Sequence, residues 1–111
     1  MKIAIPCAGG QLCMHFGHCQ QFAFVDVDED KNVMGVEMLT PPQHAPGVYP
    51  LWVREQGATT VITGGMGGRA KELFEQQGVH VIAGAPVANP EDIVKAWLTD
   101  NLQIGENACD H

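Results

Sequence analysis

Positive charge is scarce in this chain. Its 111 residues hold 6 lysines and arginines (Lys2, Lys31, Arg54, Arg69, Lys71 and Lys95) against 13 acidic residues, for a net charge of −7. Nucleic acid needs a basic face to neutralise its phosphates, and an anionic membrane surface needs a polybasic patch; the sequence offers neither. Long apolar runs are missing too. No stretch approaches the roughly 18 apolar residues of a membrane span. The apolar part of MKIAIPCAGG is too short for the core of a secretion signal, so it reads as a first strand and the expected location is the cytoplasm. Charged residues amount to 17% and hydrophobic ones to 45%. That balance excludes a disordered chain and supports one domain with a core that needs no staples.

Signatures of catalysis are equally absent. The glycine run at 64–68 (T-GGMGG-RA) is followed by no G-K-[ST], so it is not a P-loop. Its weak G-x-G-x-x-A match through Gly65, Gly67 and Ala70 lacks an acidic residue at the end of the next strand to hold a ribose. No nucleophile elbow, kinase signature or apolar pocket of paired carboxylates is recognisable. The expectation is a protein that binds rather than turns over. Asp26, Asp28, Asp30, Asn32 and Glu37 imitate a calcium-loop rhythm, but Lys31 stands where the sharp turn needs glycine and the flanks look like strands. They read as a solvated hairpin tip.

What the sequence does have is regular punctuation. Residues 2–6 are a short apolar strand ended by proline, and 7–19 are glycine- and sulfur-rich without a period, hence a loop. Residues 21–27 and 33–39 alternate around a polar turn and make a β-hairpin. Three prolines between 40 and 47 exclude regular structure. Pro50 fits the first turn of a helix that Gly57 stops, and residues 58–63 are β-branched. A helix over 69–77 buries Ala70, Leu73 and Phe74 before Gly78, a strand covers 79–83, and a last helix begins near Pro90. The order β-ββ-α-β-α-β-α predicts parallel strands in the second half with an antiparallel hairpin attached. The expected fold is α/β, a three-layer sandwich on a mixed sheet, with residues 1–100 as a single domain and 101–111 as a tail without a period.

The cysteines and histidines carry the chemistry. All but His80 fall in loops or at the chain end: Cys7, Cys13, His15, His18 and Cys19 together, His44 in the proline-rich stretch, and Cys109 with His111 in the tail. Thiolate and imidazole are the ligands that soft and borderline metals prefer, and a reducing compartment favours ligation over disulfides. The spacing fits no zinc finger, because no C-x2-C pair is present. Cys7 and Cys19 read equally as small buried hydrophobes at strand ends. The expected metal ligands are Cys13, His15, His18, Cys19, Cys109 and His111. Between a strand and a helix start, the amides of Gly64, Gly65, Met66, Gly67 and Gly68, with the charge of Arg69, form a candidate anion site, and His15, His18 and His44 can reach it.

Several segments together resemble a known family. MKIAIP, H-F-G-H at 15–18, PPQHAPG, VITGGMGGRAKELFEQQGVHVIAG and the closing NACDH are similar, in order and over nearly the whole chain, to the dinitrogenase iron–molybdenum cofactor biosynthesis family. These are the small NifX-like proteins that also occur fused to NifB. The resemblance implies a ribonuclease-H-like α/β/α fold with a five-stranded mixed sheet. It also implies binding, carriage or assembly of a metal–sulfur cluster: an Fe–S cluster, the iron–molybdenum cofactor, or the molybdenum–copper sulfide cluster of the orange proteins. Family roles fall here on His15, Phe16 and Gly17, on the turn 64–68, and on Cys109 and His111. A ferredoxin-like P-loop ATPase is the implied partner. Cys7, Cys13 and Cys19 are less typical of the family and raise direct ligation as a question for this chain.

Overall fold

The computed structural model describes residues 1–43, 45 and 47–105, the side chain of His18 excepted. Along the chain run β1 (Lys2–Ala8), β2 (Gln11–Leu12), β3 (Gln21–Val27), β4 (Val33–Leu39), α1 (Val48–Glu55), β5 (Thr60–Ile62), α2 (Gly68–Gln76), β6 (His80–Ile82) and α3 (Pro90–Leu98). The strands form one mixed sheet in the order β4-β3-β1-β5-β6, with β2 attached beside β1. The pairs β1–β3 and β3–β4 are antiparallel, whereas β1–β5 and β5–β6 are parallel.

Period-two alternation decides what each face covers. On β1, Ile3, Ile5 and Cys7 face one side, and on β3 Ala23, Val25 and Val27 join them against Ile93 and Val94 of α3. Ala4, Phe22 and Phe24 face the other side, against Tyr49 and Val53 of α1 and Phe74 of α2. Two apolar faces with helices on each make the three-layer sandwich. Phe16 inserts from the 13–20 segment edge-on against Tyr49 (5.6 Å between centroids) and Phe74 (5.5 Å), pinning that segment to the core. Helix starts follow their local signals. Pro90 is the first residue of α3, and the side chain of Asn89 before it accepts the Glu91 amide at 2.9 Å.

Within the stretch read as a loop, the chain forms a sixth strand. β1 continues through Pro6 to Ala8, Gly9 and Gly10 reverse the chain at φ 62° and 80°, and Leu12 returns opposite Cys7. Two successive left-handed glycines suit the tightest hairpin turn. Pro6 does not end the strand because its carbonyl still accepts a bond, from the Cys13 amide at 2.8 Å.

Candidate functional site

The parallel strands β1, β5 and β6 all end at one edge of the sheet, where β3 starts and β4 finishes, so most connections gather there. Backbone bonds stitch them together. The Phe16 amide donates to the Gly65 carbonyl (2.9 Å) and the Leu12 amide to that of Ala88 (2.9 Å). Gly84 donates to Gly64 (2.9 Å), and Gly105 in turn donates to Gly84 (2.7 Å). Close approach makes two of these glycines obligatory. A Cβ on Gly64 would stand 3.0 Å from both the Cα and the carbonyl oxygen of Met14. Gly84 has φ +91°, and a Cβ there would collide with the Gly105 carbonyl. The segment 101–105 is thus seated on this rim, with Leu102 packed against the second core layer.

The thiols lie beneath the rim. Cys13 is buried, and its Sγ donates to the His15 carbonyl at 3.1 Å. Cys19 is half-buried against the aromatic layer; burial, and secondarily the nearby Cys13, pushes its thiol up to about 12. Cys7 is fully buried on the α3 face and donates to the Ile5 carbonyl at 3.3 Å. Burial raises its thiol to about 11, so it behaves as a small hydrophobe.

The His15 imidazole lies further out, and the glycine turn runs from buried to exposed. His15 is exposed, and His18 lies in the single 3-10 turn Phe16–His18. Gly64, Gly65 and Met66 are buried, with the Met66 side chain inside the aromatic layer rather than at the surface. Gly67 precedes α2 with no side-chain cap, which leaves the amides of residues 68–70 without intrahelical acceptors. Gly68 and Arg69 are exposed, and Arg69 makes only a loose 3.7 Å contact with Glu72. His44, Cys109 and His111 lie outside the described residues. Among the described residues, no three His, Cys, Asp or Glu side chains gather closely enough to hold a metal ion.

Two clefts flank this rim, and sequence reasoning missed both. An apolar cleft of about 250 Å³ lies between Phe16, Ala45, Tyr49, Pro50, Ala70 and Leu73, with Arg69 at its side. A shallower one of about 450 Å³ is walled by Met14, Gly64, Gly84, Pro86, Ile104 and Gly105. The isolated glycines at 84 and 105 were the signal available for the second. No periodicity announced the first, because its lining comes from three separate segments.

The structure is thus that of a small three-layer α/β domain in which a glycine turn, a histidine-bearing loop and a helix start without a side-chain cap meet at one sheet edge. Residues 1–100 match the family described as dinitrogenase iron-molybdenum cofactor, and the chain belongs to it. It is similar to PH0822, whose crystal structure superposes with a TM-score of 0.84 at 34% identity, covering 95% of this chain and 96% of that one. An uncharacterised protein of Methanocaldococcus jannaschii is 28% identical over 107 residues, 93% of this chain and 90% of its own length. The apo form of the orange protein from Desulfovibrio gigas shares the fold, with a TM-score of 0.74 at 20% identity over 96% of this chain and 93% of that one. Among the described residues, no helix is long and apolar enough to cross a membrane.

Proposed function

We propose that this protein binds a metal–sulfur cluster as cargo, in the cytoplasm, and carries it or aids its assembly without itself being a catalyst. The observation that carries the reading is the convergence at one sheet edge of the His15 loop, the 64–68 turn, the start of α2 and the seated segment 101–105. Such a cargo is anionic as a rule and this chain is acidic, so capture falls to local groups. Those are the uncapped amides of residues 68–70, the Arg69 guanidinium and the His15 imidazole, beside an apolar cleft whose walls strengthen short-range electrostatics.

Cys13 and Cys19 are the candidate direct ligands. Burial pushes the Cys19 thiol up to about 12, so ligation there requires that it lose its proton to the metal's pull. His18 follows His15 in the same loop, and His44, in the proline-rich stretch, lies outside the described residues. Gly105 shares a cleft with Met14. Cys109 and His111, outside the described residues, follow Gly105 by four and six residues in sequence.

The test is metal and sulfide analysis, with visible absorption, of protein purified without oxygen. Bound metal and colour in the parent, falling sharply in the Cys13→Ala/Cys19→Ala double variant and in a chain ending at residue 105, are the expected outcome. Full metal stoichiometry in both variants would leave amides and histidines as the only holders. Colourless parent protein that instead captures a ferredoxin-like P-loop ATPase would replace cargo carriage with a scaffold role.

A further inference from the structure

We propose that Cys13 positions the rim before it holds anything. As a thiol it fixes the His15–Phe16 peptide against the 64–65 turn, and as metal-bound sulfur it lets that peptide go. Capture of cargo at Cys13 is thereby coupled to release of the turn that leads into α2. The release half rests on the cargo reading, whereas the positioning half holds in metal-free protein.

One peptide unit carries the coupling. Its carbonyl, that of His15, accepts from Cys13 Sγ at 3.1 Å, and its N–H, that of Phe16, donates to the Gly65 carbonyl at 2.9 Å. A peptide group is planar and stiff, so its two ends move together. Both flanks are anchored. The Cys13 amide donates to the Pro6 carbonyl at 2.8 Å, continuing the β1–β2 ladder. The Phe16 ring stands edge-on against Tyr49 and Phe74. Rotation of the peptide plane between the two Cα atoms is the motion left to it. Cys13 is only 9% exposed, so water competes little with the thiol for its acceptor.

A thiol serves this contact only while it keeps its hydrogen. S–H is a weak donor, and a sulfur bonded to metal donates nothing. Its lone pairs would then face those of the carbonyl oxygen across a hydrogen-bond distance, which is repulsive. The peptide plane turns away, and the Phe16 N–H turns with it from Gly65. The Gly65 carbonyl stays bonded after that change, because the hydroxyl of buried Thr63 already lies 3.4 Å from it. Gly64 feels the movement as well, since the Met14 backbone lies against it. In this step an S–H bond breaks, an S–metal bond forms and the proton passes to buffer, with no change of oxidation state.

Hydrogen exchange at the Phe16 amide, read by NMR in reduced protein, tests both halves, with the β3 amides as the check that the fold is intact. Without metal, Cys13→Ala should speed exchange at Phe16 about fivefold, the effect of one modest hydrogen bond. Cys13→Ser restores a donor and should stay within about twofold of the parent. Silver ion in chloride-free buffer is then added to a Cys19→Ala/Cys109→Ala background, which leaves Cys13 as the thiol to bind it beside the fully buried Cys7. Exchange at Phe16 should rise to the Cys13→Ala rate. The same background carrying Cys13→Ser, whose oxygen soft ions bind poorly, should not respond. Equal exchange in the parent, Cys13→Ala and Cys13→Ser would overturn the positioning role. Silver that leaves Phe16 unchanged, or that acts equally on the Cys13→Ser background, would overturn the release. The cargo reading stands or falls separately, on metal and colour in protein purified without oxygen.

Discussion

Gly64 is the residue on which the rim's geometry turns most directly. Two backbone atoms of Met14 stand 3.0 Å from where its Cβ would be, and backbone yields less readily than the tip of a side chain. Gly64→Ala should therefore cost about 1–3 kcal/mol by overpacking, read from urea unfolding, and should loosen the His15 loop with it. Gly84→Ala combines a φ of +91° with the close Gly105 carbonyl. It should release the 101–105 segment, seen as faster hydrogen exchange at the Gly105 amide while the β1 and β3 amides stay protected. Cys7 is a different case. Its thiol, fully buried and pushed up to about 11, should resist alkylation in the native state while reacting after denaturation. The sign of its pH linkage follows. The folded state holds the proton more tightly than the unfolded one, so the contribution is intact below about pH 9 and is lost as pH rises toward 11. Cys7→Ala should flatten that alkaline decline in stability.

At the scale of elements, the β3–β4 hairpin carries its own acid sensitivity. The Asn32 amide donates to the Asp28 carboxylate at 2.8 Å and the Asp30 amide at 2.9 Å. The backbone bond from Asn32 is the main reason that carboxyl sits below its ordinary value of 3.8. A depressed carboxylate stabilises the fold above that value and ceases to do so as pH falls through the folded-state value, so the tip should loosen in acid. Tip amide exchange measured against pH should show this, and Asp28→Ala should abolish the dependence. The hairpin itself was legible in sequence, because alternation and a polar turn coincide over 21–39. The helices were legible too, each start or stop marked by Pro50, Gly57, Gly78 or Pro90. β2 was not, because a two-residue strand has no measurable period, and Gly9-Gly10 was absorbed into a sulfur-rich stretch. Segment 101–105 escaped notice for a related reason. Its hold on the molecule is one backbone ladder through Gly84 together with the packing of Leu102, and neither leaves a pattern longer than a residue. The candidate site was legible as a set of residue types but not as a surface. That Cys7 points toward α3 follows from the strand face it occupies, which only the register settles, and that Met66 enters the aromatic layer follows from how the turn before α2 folds back on it.

For the whole molecule, the three-layer construction concentrates chemistry at one sheet edge and spreads acidity over the rest. Of the 6 lysines and arginines, Arg69 stands exposed at the rim, and Lys2 donates to the Gln56 carbonyl at 3.0 Å on the opposite edge. An anionic cargo therefore approaches a chain of net charge −7 against a repulsive field and is held only at contact. Salt should consequently act on capture in the direction opposite to the usual one. Raising ionic strength from about 0.01 M to 0.15 M shortens the screening length from about 30 Å to about 8 Å, which removes most of the long-range repulsion and leaves contacts of a few ångströms nearly untouched. The association rate of an anionic thiometallate with the apo protein, followed by stopped-flow absorbance, should rise about fivefold over that range. Arg69→Glu should slow association at every salt concentration and steepen the dependence, because it adds repulsion at the point of contact itself. A rate that falls with salt would mean that the approach is steered by positive charge, and the rim described here would then be the wrong place to look for the cargo.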